Sequence, residues 1–300
     1  MQLLTDTRID FIGKAKVFSA LSALAVIGCA ALLSTRGVQY GVEFSGGTQL
    51  VVRFEQAPAI DDVRAALDSE LAAVIQTFDD PSLNQVLIRI AQPPGSEEEL
   101  DARAERALAN LAERYPGNPI VEYSTELVGP IVGAELRRKA IQLTVVALFF
   151  QLLYIGVRFH GVVWGSGAAV AAFHDVVLAL GALAVFGYEI TLNVIAALLT
   201  IVGYSVNDTI VIFDRARENL HQRRKQPFGE LVNQSINQTL SRTLITSGTT
   251  FFAVMGLYLF GGEVLRGFAF TMVVGIVIGT YSTIFVAAPL VVWWQGRKSG

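Results

Sequence analysis

The sequence predicts a polytopic α-helical membrane protein of six transmembrane helices, with a ferredoxin-like α+β domain (βαββαβ) on the extracytoplasmic side between helices 1 and 2. Two observations carry most of this. Six stretches of roughly 20 residues hold few or no charges, the length a helix needs to cross a bilayer. They fall near 15–34, 140–159, 162–187, 190–213, 239–260 and 266–294. Between the first two lies a polar region in which strand and helix patterns alternate. Composition alone says less. Of 300 residues, 52% are hydrophobic and 16% charged, an apolar share only modestly above a soluble average. The expected division is 1–34 for the N-terminus and first span, 35–138 for the α+β domain, and 139–300 for spans 2–6.

The first span needs a check. Arg8, Lys14 and Lys16 precede an apolar run, as in a signal peptide, and "VIGC" (Val26 to Cys29) looks like a lipoprotein cleavage box. The run continues through Ala30, Ala31, Leu32 and Leu33, and five more spans follow, so an uncleaved helix is expected. Cys29 is the only cysteine, which excludes an intrachain disulfide.

In the polar region, "TQLVVRFEQ" reads as a strand and "APAIDDVRAALDSEL" as a helix opened by Pro58. "AAVIQTFDD" and "NQVLIRIAQ" are strands joined through "PSL". "SEEELDARAERALANLAERY" is an amphipathic helix with Leu100, Ala104, Ala107, Leu108 and Leu111 on one stripe and its Glu and Arg on a solvated face. "IVEYSTELV" closes the domain as a strand. The order β-α-β-β-α-β is the ferredoxin-like pattern. With no metal or nucleophile constellation, the domain reads as an interaction module.

Lys and Arg near the span ends set orientation. Lys14, Lys16, Arg158, His160, Arg215, Arg217, Arg223, Arg224, Lys225, Arg297 and Lys298 fall on one side. Both termini are therefore expected in the cytoplasm. Arg137, Arg138 and Lys139 break the pattern, but they follow a long translocated loop, where the rule loses force.

Ionisable residues inside spans cost roughly 2.5–3.5 kcal/mol each at a helix centre and are functional candidates by default. Asp208 lies near the end of span 4 and Arg242 near the start of span 5. These spans are antiparallel, so the two charges sit at similar depth and are expected to be partners. Ser205 lies one turn from Asp208, flanked by Asn207 and Asn193. Thr246, Thr249, Ala253 and Gly256 share the face of Arg242. In span 3, His174 and Asp175 lie on a helix whose Ala168, Ala171, Ala179 and Ala182 allow close approach. Two readings stay open: static charge pairs that fix packing, or proton carriage. In the second, an apolar setting favours the neutral carboxyl and a guanidinium favours the ionised one. The set Asp208, Arg242, His174, Asp175, Asn207, Ser205 and Thr246 is the expected proton pathway. In span 6, Gly267, Thr271, Gly275, Gly279 and Thr283 recur every four residues, a packing surface.

"TLNVIAALLTIVGYSVNDTIVIFDRAREN" (Thr191 to Asn219) resembles the signature of the SecD/SecF family of bacterial protein-export subunits. "GVEFSGGTQL", "LVGPIVGAEL", "AAFHDV" and "NQTLSRTLITSGTT" resemble its other blocks, in the family's order along nearly the whole chain. The resemblance implies membership of the resistance-nodulation-division superfamily and residence in the bacterial cytoplasmic (inner) membrane. It implies a SecD-like partner subunit, and action with the SecYEG channel on a translocating unfolded polypeptide, driven by the proton gradient. The family's proton-path carboxylate falls on Asp208 and its span 5 arginine on Arg242. Glu43 stands where the family's glycine block has Asp. A six-span unit with one offset charge pair also suits one half of a two-repeat transporter.

"EFSGGTQ" lacks the lysine of a phosphate-binding loop, so ATP use is not expected. Neither are an enzymatic activity, a cofactor or metal, or nucleic-acid binding, for which no basic stripe is present. The competing functions are a small-molecule or lipid exporter half of the same superfamily and a passive membrane scaffold.

Overall fold

The computed structural model describes residues 7–67, 71, 73–77, 81–91, 100–159, 162–222 and 226–298. Chain contacts divide it into two compact units, residues 40–142 with 262–264, and the remainder.

The smaller unit begins with a single helical turn, α2 (Val42–Ser45), after helix α1 (Phe11–Arg36) of the other unit. The elements β1 (Gly47–Phe54), α3 (Ile60–Ala66), β2 (Ala73–Thr77), β3 (Gln85–Ala91), α4 (Leu100–Arg114) and β4 (Ile120–Val128) follow. The strands form one antiparallel sheet in the order β2-β3-β1-β4, the ferredoxin-like arrangement. Strict alternation along β1 puts Leu50, Val52 and Phe54 into a core with Val63 of α3 and Ala107 and Leu111 of α4. Two expectations need correction. Helix α3 starts two residues after Pro58, capped by Ala59. The face of α4 outside the apolar stripe is not wholly solvated, because Arg103 is buried and donates to the Leu71 carbonyl at 3.3 Å. Its guanidinium is aimed at a backbone oxygen.

Two glycine blocks meet in this unit. Gly46 and Gly47 take φ of 71° and 134°, a region that side chains rarely enter. A Cβ on Gly133 would come to 3.0 Å from the Gly46 nitrogen. Gly133 belongs to α5 (Pro130–Phe159), so "SGG" and "PIVG" are a turn and a helix start that press together.

The larger unit holds α1, most of α5, and α6 (Val162–Phe186), α7 (Leu192–Gln222), α8 (Phe228–Phe260), α9 (Glu263–Ser282) and α10 (Ala288–Lys298). A π-helical segment, Thr283–Ala287, joins the last two. Among the described residues, six stretches are long and apolar enough to cross a membrane, α9 to α10 counting as one. The helices outrun the expected spans because their ends are polar: α7 runs to Gln222, and α8 begins at Phe228. Asn219 of α7 donates to Ser235 (2.8 Å) and Gln238 (2.9 Å) of α8 and pins these extensions together. The charges expected at His160, Arg223, Arg224 and Lys225, and the helical turn expected from Ser96, lie outside the described residues.

The bundle core is apolar and small-residue rich, with Ala168, Ala171, Val206, Phe213, Ile236 and Ala287 all buried. Glycines at one-helix-turn intervals let α9 lie along α7. A Cβ at Gly275 would fall 2.1 Å from Ile201 Cδ1, and one at Gly279 3.1 Å from Ser205 Cβ. The four-residue stripe of span 6 is thus a packing surface, as expected. At the start of α1, two side chains of α8 hold the backbone. Asn233 Oδ1 accepts from the Phe11 N–H at 2.8 Å and the Ile12 N–H at 3.1 Å, while its Nδ2 donates to the Ile9 carbonyl. Asn237 accepts from the Ile9 N–H at 2.9 Å and donates to the same carbonyl at 2.8 Å.

Candidate functional site

Within the apolar bundle, the buried polar side chains of α6, α7, α8 and α9 form two carboxylate centres. Asp175 on α6 is fully buried. Burial of a carboxylate costs heavily unless hydrogen bonds replace water. Three do so. Ser205 Oγ of α7 donates to Oδ2 at 2.5 Å, Ser282 Oγ of α9 to the same oxygen at 2.8 Å, and His174 Nδ1 lies 2.9 Å from Oδ1. The His174 ring stacks on Tyr281, whose hydroxyl donates to the Phe18 carbonyl at 2.9 Å. Asp175 therefore ties three helices together.

Asp208 lies three residues beyond Ser205 on α7 and is 4% exposed. It accepts one hydrogen bond among the described residues, from Ser247 Oγ of α8 at 3.2 Å. Ser247 in turn accepts from Thr280 Oγ1 of α9 at 2.9 Å. Next to this chain, Thr209 Oγ1 and Thr283 Oγ1 are 3.2 Å apart, and Thr283 reaches the Ser205 carbonyl at 3.4 Å. The π segment bears on this geometry. It starts directly after Ser282 and leaves two successive residues buried, Ser282 donating to Asp175 and Thr283 reaching the Ser205 carbonyl. Gly279 completes it, because a side chain there would push Ser205 away from Asp175.

The expected residues distribute unevenly. Ser205, Asp175 and His174 come together. Arg242 is exposed; it lies near enough for its charge to act on Asp208, but no ion pair closes between them. It faces a polar cavity of about 1230 Å³ shared with Arg8, Arg215, Asn237 and Gln238. Asn207 and Asn193 are exposed, so they do not flank the buried face of α7 as expected. Thr246 is half-buried and Thr249 and Ala253 are exposed, whereas Thr239, Thr243 and Ser247 form the buried stripe of α8. The stripe chosen from sequence was the one containing the charge, and it is one residue, about 100° of helix, away from the packed one. Ser247, Thr280 and Ser282 were missed. The periodic hydroxyls at Thr239, Thr243 and Ser247 were the signal available for the first. Beyond the core, Arg158 pairs with Asp214, and Arg215 with Glu218 at 2.7 Å.

A family model described as "Protein export membrane protein SecD/SecF, C-terminal" matches residues 110–297, and one described as "SecD/SecF GG Motif" matches residues 31–58. The chain is 41% identical to a protein translocase subunit SecF from Calditerrivibrio nitroreducens, over 95% of this chain and 94% of that one. With the SecF subunit of Koribacter versatilis the identity is 36% over 99% of this chain and 95% of the relative. Among solved structures, SecDF of Thermus thermophilus, described as a translocon-associated membrane protein, superposes with a TM-score of 0.85 at 38% identity. A super-membrane-facing form of SecDF superposes at 0.73. Each match covers nearly all of this chain but 40% of the SecDF chain.

Proposed function

Because the chain belongs to the SecD/SecF family of protein-export membrane proteins, we propose that it serves Sec-dependent export as the SecF-type half of a proton-driven unit. The other half is a SecD-like subunit, in keeping with the 40% of the SecDF chain that this one spans. The unit sits in the bacterial inner membrane, termini in the cytoplasm and the α+β domain outside. It works beside SecYEG on a polypeptide leaving the channel, and the chain itself is not an enzyme.

One observation carries the proton-carrier reading: the contrast between the two carboxylates. Asp175 is saturated by donors from three helices, which suits a fixed brace. Asp208 is almost as buried but accepts one hydroxyl, with the Arg242 charge close by. A buried carboxylate so lightly held changes protonation with little rearrangement of its own shell. Protonation removes the charge that attracts Arg242, and Arg242 then turns to the polar cavity it lines. Deprotonation restores the attraction. Helices α7 and α8 carry the two groups, so their packing follows the proton.

The test is proton flux into vesicles containing this subunit with its SecD-like partner. Asp208→Asn is expected to abolish flux and gradient-stimulated secretion together, with normal insertion and partner binding. Flux unchanged by Asp208→Asn would leave the scaffold reading, in which both centres only brace the bundle. Transport of a small molecule or lipid with no effect on secretion would favour an exporter half.

A further inference from the structure

His174 has a second nitrogen with a different outlook. Nδ1 is committed to Asp175, while Nε2 is buried and has no hydrogen-bond partner among the described residues. The ring is a wall of a groove of about 820 Å³ along the bundle. Its other walls are apolar: Ala23 and Val26 of α1, Phe173 of α6 and Trp293 of α10. Phe173 and Trp293 are 67% and 57% exposed, so large apolar surface is presented outward here. Lys16 lines the groove toward the start of α1, exposed and without an ion pair among the described residues.

We propose that this groove is a binding site for an anionic glycerophospholipid. Three features select that chemistry over a bare acyl chain or a transmembrane helix. An unpartnered buried nitrogen costs free energy that an apolar helix face would not recover. The cation lies toward the start of α1, where a headgroup phosphate would lie. Lys16 and Ser22 are six residues apart on α1, about 9 Å along the axis. Ser22 bonds Tyr281, on which His174 stacks. With the phosphate at Lys16, the glycerol esters therefore come level with His174. An ester at that level lies beside the imidazole, and the acyl chains run on between Ala23, Val26 and Phe173. The lipid would share one imidazole with the Asp175 brace.

The experiment uses the complex with its SecD-like partner, delipidated in detergent and titrated with phosphatidylglycerol or phosphatidylcholine, followed by native mass spectrometry. Retention of phosphatidylglycerol over phosphatidylcholine is expected. Lys16→Gln, at an exposed position, should cut the preference roughly five-fold, as expected for one cation near a lipid surface. Ala23→Trp should block retention of both lipids at this site. Equal retention of the two lipids, indifferent to Lys16→Gln, would overturn the proposal. So would a photo-cross-linker at Ala23 that captures the SecD-like subunit instead of lipid, since a partner helix would then fill the groove.

Discussion

Ser247 and Ser282 each donate to a buried carboxylate, but with different expected consequences. Ser282 is one of three donors on Asp175, and its loss weakens a brace. Ser282→Ala should lower the stability of the detergent-solubilised complex by about 0.6 kcal/mol, the average for hydrogen bonds between membrane helices, and by no more than about 1.7, and leave proton flux nearly intact. Ser247 is the donor on Asp208, so Ser247→Ala should alter flux far more than stability. Thermal unfolding and vesicle flux, measured on both variants, check the pair; equal effects on both readouts would contradict the division. Asp208, Ser205, His174 and Asp175 were visible in the sequence because charge and polarity stand out within apolar runs. Ser247 and Ser282 were not, since serines are common in membrane helices and only the packing decides which of them face a carboxylate.

At the scale of helices, spans were legible from length and hydropathy, and the strand order from alternation and turn residues. Helix ends were not, because polar residues continue α7 and α8 past any apolar boundary. The π segment was also invisible. The four-residue stripe from Gly267 to Thr283 implies one continuous face, but a regular helix drifts by about 40° over each such step, and the extra residue at Thr283–Ala287 changes the phase again. The glycines of α9 make a sharper test. Gly275→Ala places a methyl 2.1–2.9 Å from three side-chain carbons of buried Ile201, so Ile201 must leave its rotamer or α7 and α9 must part, at a cost of about 1–3 kcal/mol. Gly256→Ala on α8 meets nothing and should be neutral or slightly stabilising, because alanine favours helix. Unfolding midpoints of the two variants would show whether contact or backbone propensity dominates.

For the whole molecule, the family's blocks prove to be places where distant parts of the chain touch. "GVEFSGGTQL" meets "LVGPIVGAEL" at Gly46 and Gly133, and "AAFHDV" meets the span 4 block at Asp175 and Ser205. The same holds for the start of the chain, where two amides of α8 grip Ile9, Phe11 and Ile12 by their peptide groups alone. At Ile9 such a grip is blind to the side chain and strict about the path of the backbone, while Phe11 adds its own ring contact with Phe285. Substituting alanine for Ile9 should therefore leave the segment seated, whereas Ile9→Pro, which removes the N–H that Asn237 accepts from, should release it. Slow amide exchange at Ile9, Phe11 and Ile12, lost in the proline variant alone, is the expected signature. At Ile9, whose side chain is exposed, evolution can change the letter without moving the chain, so kinship there would be written in the asparagines that hold it, whereas Phe11 is tied to its ring contact with Phe285.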